Sequence, residues 1–201
     1  MQLRSKFFLV APILGALAVL SVQTPEAIAH KGAKGVVKKR MDAMKSIGDN
    51  MKAIKKMLAG EQPYDAGKVK KAAGAIKSHA GKPLVKLFPK GSMQKPTEAT
   101  PKIWEDWDTF EANAMRLQAY AGVLEASAGR PEGAAEASGL SETIKASDIT
   151  EGGWPTVAEL NQLPLQAVFM AMGKTCKSCH ESFRIKKDEA GKGGHEGHQG
   201  H

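Results

Sequence analysis

Apolar residues recur along this chain at alternating intervals of three and four. From Ala33 onward, Val37, Arg40, Met44, Ile47, Met51, Ile54 and Leu58 trace one line, and Gly60 closes it. Residues so spaced share one face of an α-helix, and the strict alternation makes a seam that needs partner helices. A second line, Val69, Ala73, Ile76 and Ala80, follows Pro63-Tyr64-Asp65, with Asp65 suited to cap the helix start. Lys68, Lys70, Lys71 and Lys77 face outward, and His79 is expected to be a surface or packing residue. Gly81 to Pro101, punctuated by Pro83, Pro89 and Pro96, reads as a long connection. A third line, Ile103, Trp107, Phe110, Ala114, Leu117, Ala121 and Leu124, predicts a helix from Ile103 to about Ala128 with Trp104 on its flank. Gly129 to Pro155, rich in Ala, Gly and Ser, reads as a crossover loop or satellite helix around Leu140 to Ala146. The last helix, from about Pro164 to Lys187, carries Leu165, Phe169, Met172, Cys176, Cys179 and Phe183 on its seam. No segment alternates as a strand does. The expected fold is all-α, an antiparallel up-down-up-down four-helix bundle over residues 30–187.

Two seam features do not suit an ordinary dry core. Arg40 lies on the apolar line, where a guanidinium needs an anionic partner or an outlet to water at the helix end. Cys176 and Cys179 are the only cysteines of the chain, and with His180 they spell Cys176-Lys177-Ser178-Cys179-His180. This C-x-x-C-H pattern attaches a c-type haem. Two thiols add to the vinyl groups on one porphyrin edge, and the neighbouring imidazole reaches the iron. Positions i, i+3 and i+4 of a helix share a face, so all three side chains point one way, into the bundle. A thiol–disulfide motif expects a preceding strand in a βαβ pattern, which is absent here. A single covalent haem c is therefore the expected cofactor, enclosed by the bundle. A haem propionate then answers the need of Arg40, and the aromatic residues of the third helix serve either as core or as porphyrin wall.

The termini set the compartment. Arg4 and Lys6, the apolar run Phe7–Leu20 and Ala27-Ile28-Ala29 have the three parts of a secretory signal peptide, residues 1–29. An apolar run of about 14 residues is shorter than the roughly 20 that span a bilayer, so no transmembrane anchor is expected after processing. The expected location is periplasmic. The leader carries Arg4, Lys6 and Glu26, a net +1, so its removal takes the formal charge from +8 to +7. Scattered lysines and few aromatic residues argue against a nucleic-acid surface. They suit a redox protein partner of acidic character or an anionic membrane surface. Residues 188–201, Gly-rich with His195, His198 and His201, read as a disordered tail with loose metal binding as the alternative.

Position along the bundle narrows the choice of a ligand opposite His180. If the first and last helices are antiparallel neighbours and the last ends near Lys187, His180 is level with residues 41 to 44. Met51 lies roughly 24 Å along the first helix, and Met172 shares the helix of His180 about 12 Å away. Met41 is level but off the seam. Met44 meets both conditions.

These residues resemble the cytochrome c′ family. The likeness rests on Arg40 with Met44 four residues later, Gln62-Pro63-Tyr64-Asp65-Ala66, Pro101-Lys102-Ile103-Trp104 with Phe110, and Cys176, Cys179, His180, Phe183 and Arg184. Gas-binding members carry an apolar residue where this chain has Met44, so the sequence is similar to the low-spin, c-556-type branch, in which that methionine ligates iron. The resemblance also implies a propionate for Arg40 and a place beside the proximal histidine for Arg184. Trp104, Phe110 and Phe183 become haem environment. The expected function is one-electron transfer through a His180/Met44 low-spin haem. The alternative is a five-coordinate haem that binds NO or CO, with Met44 as packing. An enzyme, either a weak peroxidase or a thiol oxidoreductase, is a third class that no residue set favours. Homodimerisation through the first two helices is left open.

Overall fold

The computed structural model describes residues 32–130 and 153–185. The leader, the 140–146 satellite helix and the His-rich tail lie outside them. Seven helices are described: α1 Gly35–Leu58, α2 Ala66–His79, α3 Lys82–Val85, α4 Lys102–Glu105, α5 Trp107–Ser127, α6 Val157–Leu160 and α7 Leu165–Phe183. The four long ones, α1, α2, α5 and α7, form the four-helix bundle. Among the described residues there is no strand, only an isolated antiparallel bridge between Ala99 and Arg184.

The seams become the core. Ile47, Ile54 and Leu58 of α1 meet Val69, Ala73 and Ile76 of α2, Leu117, Ala121 and Leu124 of α5, and Leu165 and Met172 of α7 in one large cluster. Asp65 caps α2, its carboxylate accepting from Lys68 N at 2.9 Å. Tyr64 donates to Ala128 O at 2.7 Å, while Gly81 N donates to Ala114 O at 3.0 Å, so α2 and α5 run antiparallel.

Three expectations need correction. The third helix is not continuous: Asp106, at φ −131° and ψ 61°, breaks it into α4 and α5, and its carboxylate caps the second part by accepting from Thr109 N. The connection is not all loop, since α3 forms within it. The last helix ends at Phe183, four residues early, because the chain turns extended at Arg184 and pairs with the 98–100 segment. That pairing consists of Thr100 N to Phe183 O and Ile185 N to Glu98 O, at 2.9 and 2.7 Å.

The closest helix packing is between α1 and α2, α2 and α5, and α5 and α7. The first and last helices, expected as close neighbours, make much less backbone contact. No helix among the described residues is long and apolar enough to cross a membrane.

Candidate functional site

A second, smaller cluster occupies one end of the bundle. Leu84, Phe88, Ile103, Phe110, Ala114 and Phe183 form it, and Met44, Met93, Trp104, Trp107 and Cys179 pack against it. Phe110 is its hub, 2 % exposed, with Phe88 edge-on at 4.8 Å and Phe183 edge-on at 5.7 Å between ring centroids. Edge-to-face pairing sets the positive rim of one ring against the negative face of another. Trp104 is fixed by its indole N–H, which donates to Phe88 O at 3.0 Å.

Most of the sequence-predicted site residues converge on this end. Met44, Trp104, Phe110, Phe183 and Cys179 share the small cluster, while Cys176, one turn back along α7, packs against the large one. The cysteine pair thus bridges the two cores. Met51 and Met172 belong to the large cluster. His180 comes immediately after Cys179 and is exposed, where the motif spacing had all three side chains pointing into the bundle. Because α7 ends at Phe183, the helix-end level that pointed to Met44 is displaced by about a turn; packing, not that level, is what associates Met44 with Cys179.

Arg40 is 3 % exposed and has no acidic partner among the described residues. Its guanidinium donates from Nη2 to Leu87 O, Ser92 O and Ser92 Oγ at 2.9, 3.1 and 2.7 Å, from Nη1 to Met93 Sδ at 3.7 Å, and lies 4.3 Å above the Phe88 ring. Its Nε is buried without a hydrogen-bond acceptor. Burial lowers its pKa from the ordinary arginine value. Arg184 lies four residues past the motif, just beyond the end of α7, and pairs with Glu98, Nε donating at 2.6 Å.

The electrostatics favour neutral groups on α7. Burial pushes both thiols up, to about 11 at Cys176 and about 11 at Cys179. Neither is a thiolate at neutral pH, so neither is a nucleophile or redox thiol of the usual activated kind. The His180 pKa is lowered, first by desolvation of the ring against the fold and second by the Arg184 charge, with Glu98 opposing.

A haem c fits this donor set. The Cys179 thiol and the Met44 thioether border an apolar, aromatic cluster, with Cys176 one turn back along α7 and His180 next in the chain. A buried cation with an unsatisfied N–H stands ready for a carboxylate, and α1 and α7 are not packed tightly together. Sequence reasoning missed Phe88, Ser92, Met93 and Glu98, all in the connection treated as a spacer. The spacing of Leu84 and Phe88 on one helical face was the available signal.

Comparison with known proteins agrees. The family model of cytochrome C′ matches residues 35–147, which takes in α1 to α5 and leaves the cysteine motif as separate support. A cytochrome c-556 of Agrobacterium fabrum is 31% identical over 155 residues, 77% of this chain and 84% of that protein. A cytochrome c′ of Rhodopseudomonas palustris is 31% identical over 153 residues, 76% of this chain and 83% of that one. The solved cytochrome c prime of Shewanella frigidimarina superposes with a TM-score of 0.52 at 23% identity, over 75% of this chain and 94% of that one. With its bundle, its aromatic end cluster and its two helix-borne cysteines, the chain belongs to the cytochrome c′ family of electron-carrying proteins with covalently bound haem c.

Proposed function

We propose that the chain is a periplasmic electron carrier in which Cys176 and Cys179 would form the thioethers to a haem and His180 and Met44 would hold its iron. The haem, when bound, supplies a one-electron couple. The chain's own residues do the rest. Leu84, Phe88, Phe110 and Phe183 exclude water, Arg40 offers its free Nε to a propionate, and the Met44 thioether favours the reduced form and raises the potential. The observation that carries this reading is that Met44 of α1 and Cys179 of α7 pack against one apolar cluster. Relatives named cytochrome c-556 support it.

The test is Met44→Leu in the haem-loaded protein. This swap keeps volume and apolar character and costs under about 1.5 kcal/mol, so the bundle stays folded. The low-spin optical spectrum is expected to turn high-spin, and the reduced form to gain CO binding. Met41→Leu and Met51→Leu should change neither. An unchanged spectrum in Met44→Leu would hand the site to the second reading, an open distal position that takes NO or CO. That reading draws on relatives named cytochrome c′ at the same 31% identity and on the ease with which a methionine serves as packing. Export belongs to the first proposal: N-terminal sequencing of periplasmic protein should begin at His30.

A further inference from the structure

The connection between α2 and α4 carries Lys82, Lys86, Lys90, Lys95 and Lys102, all exposed, and Glu98 as its one acid up to Trp104. Glu98 is neutralised by Arg184. Nearby, Lys38 is matched by Asp42 at 2.6 Å and Lys177 by Glu181 at 3.7 Å. None of the five connection lysines has an acidic partner among the described residues. Glu105, Asp106 and Asp108 follow in sequence and bound the basic stretch on the α4–α5 side.

These lysines sit on a strap held from inside the protein. Arg40 grips Leu87 and Ser92 from α1, Trp104 holds Phe88 O, Gly81 N donates to Ala114 O, and the 98–100 segment pairs with 183–185. Leu84, Leu87 and Phe88 of the same strap pack on the cluster that Met44 and Cys179 border. Uncompensated positive charge is therefore seated, in fixed positions, directly over the candidate haem end. Charge so placed steers an oppositely charged partner and orients its approach, over a screening distance of about 10 Å at 0.1 M salt.

We propose that the 82–102 strap is the docking surface for electron exchange and that its partner is a redox protein presenting an acidic patch. This rests on the electron-carrier reading and deepens it. Two variants of the holoprotein test it. One carries Lys82, Lys86, Lys90 and Lys95→Gln; the other carries Lys52, Lys55, Lys70 and Lys71→Gln, with the same loss of net charge at the far end of α1 and on α2. Stopped-flow oxidation by ferricyanide, an anion, and by tris(phenanthroline)cobalt(III), a cation, reads the local field. Titration with poly-L-glutamate reads binding without electron transfer.

At low salt the strap variant should react with ferricyanide roughly fivefold or more slowly and faster with the cobalt complex. It should also lose poly-L-glutamate binding, and the far-end variant should behave nearly as the unaltered protein does. Equal effects in both variants, or none, overturn the proposal. So does sedimentation of the unaltered protein with phosphatidylglycerol vesicles in the absence of poly-L-glutamate binding, which would make the strap a membrane face. Optical spectra taken on the same samples keep the two readings apart. If they are not low-spin, the ligand assignment has failed; if they are low-spin and the kinetics do not separate the variants, only the docking surface has.

Discussion

Arg40 shows what a single misfit residue on an apolar seam accomplishes. Its aliphatic stem completes the α1 stripe, while its head crosses to the strap and satisfies two backbone carbonyls that have left regular structure. Buried carbonyls without a donor cost about 1–3 kcal/mol each. Replacing Arg40 with Met keeps the stem and removes the donors, so we expect a loss of roughly 2–4 kcal/mol in denaturant titrations of the holoprotein. The loss should be accompanied by faster amide exchange confined to residues 86–93. Arg40→Lys should recover little, since one ammonium cannot reproduce the planar fork over Phe88. If Arg40→Met left strap exchange unchanged, the carbonyl contacts would not be what seats this segment. The sequence exposed the misfit but not its answer: periodicity identified a cation needing a partner, and the expected partner was a propionate. That the strap takes Nη2 and leaves Nε free depends on contacts more than 45 residues apart, which no local pattern encodes.

Elements were legible where periodicity and caps agree, and illegible where one side chain overrides the pattern. The seam from Ile103 to Leu124 runs unbroken through Asp106, yet the helix breaks there because the aspartate turns to cap Thr109 N; such residues compete with the helix for its own backbone groups. Asp65 acts likewise without a competing seam, and was read correctly. Its pKa is lowered from 3.8, chiefly by the hydrogen bond from Lys68 N. A carboxylate with a depressed folded pKa stabilises above its unfolded value, and that contribution is lost as pH falls through the lower folded value. Asp65→Ala should therefore lower the thermal midpoint at pH 7, and the difference from the unaltered protein should shrink below about pH 4. A pH-independent difference would mean that the cap works by its shape and not its charge. The α2–α3 junction makes a sharper demand. Gly81 has φ +65°, and a Cβ there would lie 2.2 Å from Gln118 Oε1, whose amide donates to Ala80 O and Lys77 O. Gly81→Ala is expected to cost roughly 1–3 kcal/mol, read as a shift of the denaturation midpoint; Gln118→Ala beside it should relieve the clash but leave the backbone strain.

At the scale of the whole molecule the two clusters have unequal needs. The large one draws on all four long helices and on α6, with fully buried Ile54, Val69, Leu124 and Met172. The small one has a half-buried margin, Met44, Met93, Trp104 and Cys179, around a buried cation with an unused N–H. It is also bordered by α1 and α7, which make little backbone contact with each other. On this geometry the haem completes one end of the bundle and not the whole core, a narrower role than the cysteine spacing by itself suggests. Replacing both Cys176 and Cys179 with Ala should abolish covalent haem, which pyridine haemochrome assay and mass spectrometry will read. The haem-free chain is expected to keep much of its far-ultraviolet helicity. Amide exchange should then divide the molecule: protection retained around Ile54, Val69, Ala73 and Leu124, and lost over 84–110 and the last two turns of α7. Loss of protection throughout would mean that haem nucleates the entire bundle. Full protection at both ends would mean that the small cluster closes on itself, and the case for a haem between Met44 and Cys179 would lose its structural basis.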